Sequence, residues 1–125
     1  MTKFLIADDS VDKIRLLEAF LKRVGWKQEV LIAMTTEEAV DHIEDHAISH
    51  AFVDYYIPSH NGPSVIAHLK QHRPDARIAL VSSADNPRNR DEALQAGAEA
   101  FVCTTWPMDE VERQMLKLLN EWTNP

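Results

Sequence analysis

The chain carries one cysteine in 125 residues, Cys103, so no internal disulfide can form, and a reducing, cytoplasmic setting is expected. Long apolar runs are also missing: Phe4 to Ala7 and Ile78 to Val81 fall far short of the ~20 residues a membrane-spanning helix requires. Met1-Thr2-Lys3, followed by a short apolar stretch and an acidic pair, lacks the pattern of a secretory leader. Positive charge is scarce, with 13 Lys and Arg against 20 Asp and Glu and a net charge of -7. Without a basic stripe the chain repels a phosphate backbone on average, so nucleic acid is not an expected partner. No repeat, linker or low-complexity stretch interrupts it, and 45% of it is hydrophobic. A chain of this size buries about two-thirds of the surface its unfolded form exposes, enough for one domain over residues 1–125 without staples.

What the sequence does contain is a regular alternation of two hydrophobic periods. Lys3 to Ala7, Glu29 to Ala33, Ala51 to Asp54, Arg77 to Ser82 and Ala100 to Cys103 are short and apolar on both faces, as buried parallel strands are. Between them lie five helical patterns. The first runs from Val11 and aligns Ile14, Leu17, Leu21 and Val24. Thr35 and Glu38 form a capping box for the second, which buries Ala39, Val40 and Ile43. The third follows Asn61-Gly62-Pro63, buries Val65, Ile66 and Leu69, and stops at Arg73-Pro74. Asn86-Pro87 opens the fourth, which ends at Gly97, and the fifth aligns Met108, Val111, Met115, Leu118 and Trp122. Right-handed crossovers between such strands produce a three-layer α/β/α domain around a five-stranded parallel sheet.

Ligands of such sheets bind beyond the carboxyl ends of the strands, where strand order reverses. The first strand ends in Asp8-Asp9-Ser10 and the third in Asp54-Tyr55-Tyr56, while Ser82-Ser83 and Thr104-Thr105 end the fourth and fifth. Asp8 and Asp9 also suit the start of the first helix as caps. Three carboxylates at one rim repel one another, and an all-oxygen set selects a hard cation, Mg²⁺ or Mn²⁺, that commonly pairs with a phosphoryl group.

Four segments in order, Phe4 to Asp9, Val53 to Gly62, Leu80 to Ala84 and Ala93 to Ala98, resemble the receiver domain of two-component response regulators, a flavodoxin-like fold, across essentially the whole chain. The second is the most specific, placing Asp54, then Pro58 and Gly62, in the family's register. The resemblance implies that Asp54 is the phosphoacceptor, taking its phosphoryl group from a histidine kinase or phosphotransfer protein. It implies that Asp9, Asp54 and the main-chain carbonyl of Tyr56 bind Mg²⁺ directly, with Asp8 helping largely through water. Ser82 matches the family's switch hydroxyl and Phe101 the aromatic that follows it. The Tyr56 ring sits where the family tunes access of water to the acyl phosphate. A downstream protein would be met through the fourth helix, fifth strand and fifth helix. No turnover enzyme is implied, only phosphoryl self-transfer onto Asp54.

One departure is plain: Thr104 and Thr105 stand where receivers carry Lys-Pro. A threonine hydroxyl supplies a hydrogen bond and no charge. The three acids are therefore expected to carry unbalanced negative charge with no lysine nearby. The Thr104–Thr105 peptide is expected to be trans, since a cis bond without proline costs about 2.5 to 4 kcal/mol. Trp106 then either covers the gap left by the lysine stem or projects as an anchor. The alternative function is an unconventional receiver that works as an interaction module without phosphorylation.

Other readings of these residues are weaker. A flavin-binding electron carrier needs a hydroxyl- and glycine-rich loop after the first strand, where Asp8-Asp9 repels phosphate instead. A phosphatase of the haloacid type wants an acid where Tyr56 stands. His42 with His46, and His68 with His72, each share a helix face without a third ligand in view, so solvated faces are expected. Cys103 is expected to be a small core residue.

Overall fold

The computed structural model describes residues 1–123; Asn124 and Pro125, the end of the expected domain, lie outside the described residues. Strands β1 (Lys3–Ala7), β2 (Val30–Ala33), β3 (Ile48–Val53), β4 (Arg77–Ser82) and β5 (Ala100–Cys103) alternate with helices α1 (Val11–Arg23), α2 (Thr36–Asp45), α3 (Gly62–His72), α4 (Pro87–Ala96) and α5 (Met108–Thr123). Every strand pairing is parallel, and the sheet order is β2-β1-β3-β4-β5. That order is the flavodoxin-like doubly wound one, with its switch point between β1 and β3. No helix among the described residues is long and apolar enough to cross a membrane.

The period of two along each strand divides the core in two. Leu5, Ala7, Ala51, Val53, Ile78 and Leu80 point to the side covered by α2, α3 and α4. Phe4, Ile6, Phe52, Ala79 and Val81 point to the side covered by α1 and α5. Side-chain caps start four of the helices: Ser10, Thr35, Asn61 and Asn86 each accept a main-chain N–H from the first turn. Each such cap stabilises its helix by about 1 kcal/mol.

Several expected details shift. Strand β3 starts at Ile48 rather than Ala51 and ends one residue before Asp54. Glu38 reaches back to the N–H of Met34, at 2.7 Å, rather than to that of Thr35. Met108 is exposed, because it opens α5 on the solvent side, and the buried stripe is Val111, Met115, Leu118, Leu119 and Trp122. Phe20 joins the core from α1, whereas Val24 serves as that helix's C-cap.

At the amino-terminal end of the sheet, His50 sits among aromatic rings, with centroids 4.9 Å from Trp26, 5.1 Å from Trp122 and 6.1 Å from Phe4. Burial, and then the charge of Arg77, lower its pKa from 6.5 to about 4, with Glu99 opposing. Between those values the unfolded chain binds more protons than the folded one, so stability contributed by neutral His50 is lost as pH falls from 6.5 toward 4. Urea midpoints measured across that window should drop for the wild type and drop less for His50→Phe. Equal drops would show that His50 does not titrate as described.

Candidate functional site

The carboxyl ends of β1 and β3 lie side by side, with Ala7 in register with Val53, so the next residue on each strand is a neighbouring aspartate. Asp54 N–H donates to the Ala7 carbonyl at 2.9 Å, and Asp8 N–H to the Ala33 carbonyl at 2.9 Å. Asp8 is 1% and Asp54 8% exposed, whereas Asp9 is at the surface. Asp8 Oδ1 accepts the Ser10 N–H at 2.9 Å, and Ser10 Oγ caps α1 by accepting the Lys13 N–H. The acids and the start of α1 thus form one turn.

Asp54 Oδ1 accepts the Tyr55 N–H at 2.8 Å. No hydrogen bond among the described residues reaches Oδ2 of Asp54, which lines a cleft of about 480 Å³ with Asp8, Asp9, Lys13, Tyr56, Ser83 and Thr104. Burial pushes the Asp54 carboxyl above its ordinary value; the charge of Lys13 opposes this rise and that of Asp8 adds to it. One oxygen from each of Asp8, Asp9 and Asp54 lies within 4.8 Å of the others, and Asp8 Oδ2 is buried without a hydrogen bond. This all-oxygen set fits a hard divalent cation.

The expectation of no lysine near the acids is wrong. Lys13, 8% exposed, brings its Nζ 2.8 Å from Asp8 Oδ2 and 3.1 Å from Asp54 Oδ1. It is the third residue of α1, and helical side chains tilt toward the amino terminus, so its stem runs back over the strand ends. A cation at a helix amino terminus opposes the macrodipole, and a carboxylate partner is the usual compensation. That was the signal available in the sequence.

Ser82 is fully buried, and its Oγ accepts the Ala84 N–H at 3.2 Å; Ser83 rather than Ser82 lines the cleft. Thr104 lines it too, with its N–H on the Ser82 carbonyl at 2.8 Å and its hydroxyl 3.5 Å from the same oxygen. Thr104–Thr105 is trans; among the described residues the cis peptide is Pro58–Ser59. Trp106 does not line the cleft. It packs half-buried, edge-on to Phe101 at 5.8 Å, with its N–H on Asp85, while the Arg90 guanidinium covers the Phe101 ring at 4.7 Å. The Tyr55 hydroxyl donates to Glu92, and Asn89 donates to the Tyr56 hydroxyl, so two phenols tie the loop after β3 to α4.

Among the histidines, His42 Nε2 lies 2.9 Å from the Ile32 carbonyl. His68 and His72 do have a third candidate donor, Glu44, contrary to the sequence reading. His68 Nε2 is 3.3 Å from Glu44 Oε2. Cys103 is a buried free thiol against Thr105.

A family profile described as response regulator receiver domain matches residues 4–115. The chain is 27% identical over 123 residues to the probable transcriptional regulator ycf27 of Cyanophora paradoxa, covering 98% of this chain and 50% of that protein. It is 26% identical over 118 residues to the chemotaxis protein CheY of Bacillus subtilis, covering 94% of this chain and 98% of that one. The crystal structure of the Mn(2+)-bound form of response regulator Rcp1 superposes with a TM-score of 0.80 at 15% identity, covering 95% of this chain and 92% of that one. The chain therefore spans half of the first of these relatives and nearly all of the other two.

Proposed function

This chain belongs to the response regulator receiver family of two-component signal transduction, and from that premise we propose that residues 1–125 act as a switch phosphorylated on Asp54 by a histidine kinase or phosphotransfer protein. The observation that carries the reading is the Asp54 carboxylate, buried at the switch point with one oxygen held by the Tyr55 N–H and Lys13 and the other free toward the cleft. In the transfer, Asp54 Oδ2 forms a bond to phosphorus while the donor's P–N bond breaks, and the leaving imidazole takes a proton from solvent. Phosphoryl transfer asks mainly for positioning and for neutralisation of the phosphoryl oxygens.

Asp8, Asp9, Asp54 and the Tyr56 carbonyl would hold Mg²⁺ or Mn²⁺, which when bound supplies part of that neutralisation; the Mn(2+)-bound relative supports this by analogy of fold. Ser82 would leave the Ala84 N–H to donate to the phosphoryl group, and Phe101 would answer by moving beneath Arg90 and Trp106. The surface of α4, β5 and α5 is then the face a downstream protein reads. Intact-mass measurement with acetyl phosphate and Mg²⁺ should show one added phosphoryl group, and none when EDTA is present from the start. If no adduct forms, with acetyl phosphate or with a phosphohistidine protein donor, the chain is the phosphorylation-independent module instead.

A further inference from the structure

The receiver pattern puts a lysine where this chain has Thr104, which lines the cleft with an uncharged hydroxyl 3.5 Å from the Ser82 carbonyl. We infer that Lys13, from the first turn of α1, supplies the missing cation: it pairs with Asp8 and Asp54 at rest and with the phosphoryl oxygens once Asp54 is modified. The inference rests on the phosphoryl reading of Asp54.

Three observations support it. Lys13 is the one cation among the described residues that line the cleft. Its ammonium already bridges the nucleophile and the neighbouring acid, at 3.1 and 2.8 Å. Its side chain is 8% exposed, and with two of its three donors facing carboxylate oxygens, one N–H is left for a ligand in the cleft. A buried ammonium is held where anions surround it, and an acyl phosphate on Asp54 brings three further acceptor oxygens to that place. The covalent step leaves the lysine charge unchanged, so no proton has to be exchanged with it.

The contact also predicts competition. A tethered ammonium between Asp8 and Asp54 opposes divalent cations at the same carboxylates and assists phosphoryl groups. A residue that merely fills space would move neither equilibrium in opposite senses.

The test compares wild type with Lys13→Met, Lys13→Arg and Thr104→Val. Mg²⁺ affinity is read by tryptophan fluorescence, and beryllofluoride affinity in saturating Mg²⁺ by NMR. Lys13→Met is expected to weaken beryllofluoride at least about tenfold, the weight of a charged hydrogen bond, while binding Mg²⁺ more tightly than wild type. Lys13→Arg keeps most of the beryllofluoride affinity, and Thr104→Val loses less of it than Lys13→Met. If wild type binds beryllofluoride and Lys13→Met binds it equally well, this inference is overturned and the Asp54 reading stands. If Thr104→Val rather than Lys13→Met loses it, the hydroxyl is the contact and Lys13 is not. If wild type itself binds none in Mg²⁺ and gains no phosphoryl mass, both readings fail together. Should Lys13→Met not fold, Lys13→Arg and Lys13→Gln carry the comparison, with glutamine expected to behave as methionine.

Discussion

Asp54→Asn is expected to abolish phosphoryl uptake and, without divalent metal, to make the folded protein more stable at neutral pH. The first result follows from removing the carboxylate read as the phosphoacceptor, which lines the cleft and whose Oδ2 carries no hydrogen bond among the described residues. The second follows from linkage. Burial raises the Asp54 pKa above 3.8, against the pull of Lys13, so in the window above 3.8 the folded chain binds more protons than the unfolded one. Stability therefore falls as pH rises through that window, and at neutral pH the charge is a net cost that asparagine removes. Urea denaturation should show a higher midpoint for Asp54→Asn near neutrality and convergence with wild type in acid. Adding Mg²⁺ should stabilise wild type more than the variant, because ligand binding to the folded state adds stability and the variant has lost one carboxylate. A variant that still gains phosphoryl mass would place the nucleophile elsewhere.

Gly62→Ala is expected to damage both fold and site. A Cβ there would stand 2.0 Å from the Asp54 carbonyl oxygen, 2.9 Å from its carbon and 3.0 Å from the Tyr55 Cα. All three are main-chain atoms, so no flexible side chain can give way. Gly62 N–H also donates to the Tyr55 carbonyl at 2.7 Å, which fixes the start of α3 against the residue after the nucleophile. Separating them should cost about 1 to 3 kcal/mol, as overpacking does elsewhere, and should move Asp54. Gly25→Ala is the control: its φ of +72 is unfavourable for alanine, but nothing lies within 4 Å of a Cβ there. It should destabilise by about 1 to 2 kcal/mol with no loss of phosphoryl uptake in the folded fraction. Wild-type stability and uptake in Gly62→Ala would contradict the close approach.

The strands were legible because residues such as Phe4 to Ala7 and Ile78 to Val81 are apolar on both faces, which only a doubly covered parallel sheet requires. The acids were legible because strand ends are where such sheets place ligands. The first half of β3 was not, since Ser49 and His50 interrupt its apolar run, and His50 is accommodated by rings from β1, from α5 and from the chain beyond α1. Lys13 escaped notice because a lysine in a first helical turn reads as surface; its fate depends on which way the helix points from the sheet. Asn89 and Glu92, the partners of Tyr56 and Tyr55, come from α4, a distance in sequence that no local pattern spans. Gly62 was found as part of a spacing, but its reason is the carbonyl of Asp54.

The most direct test of the account is to locate the phosphoryl group chemically. Wild-type protein treated with acetyl phosphate and Mg²⁺, then reduced with borohydride, converts an aspartyl phosphate to homoserine that peptide mass mapping can place. The account predicts homoserine at position 54 alone, and none when EDTA is present. Homoserine at position 8 or 9, or at no acid despite an added phosphoryl mass, would contradict it.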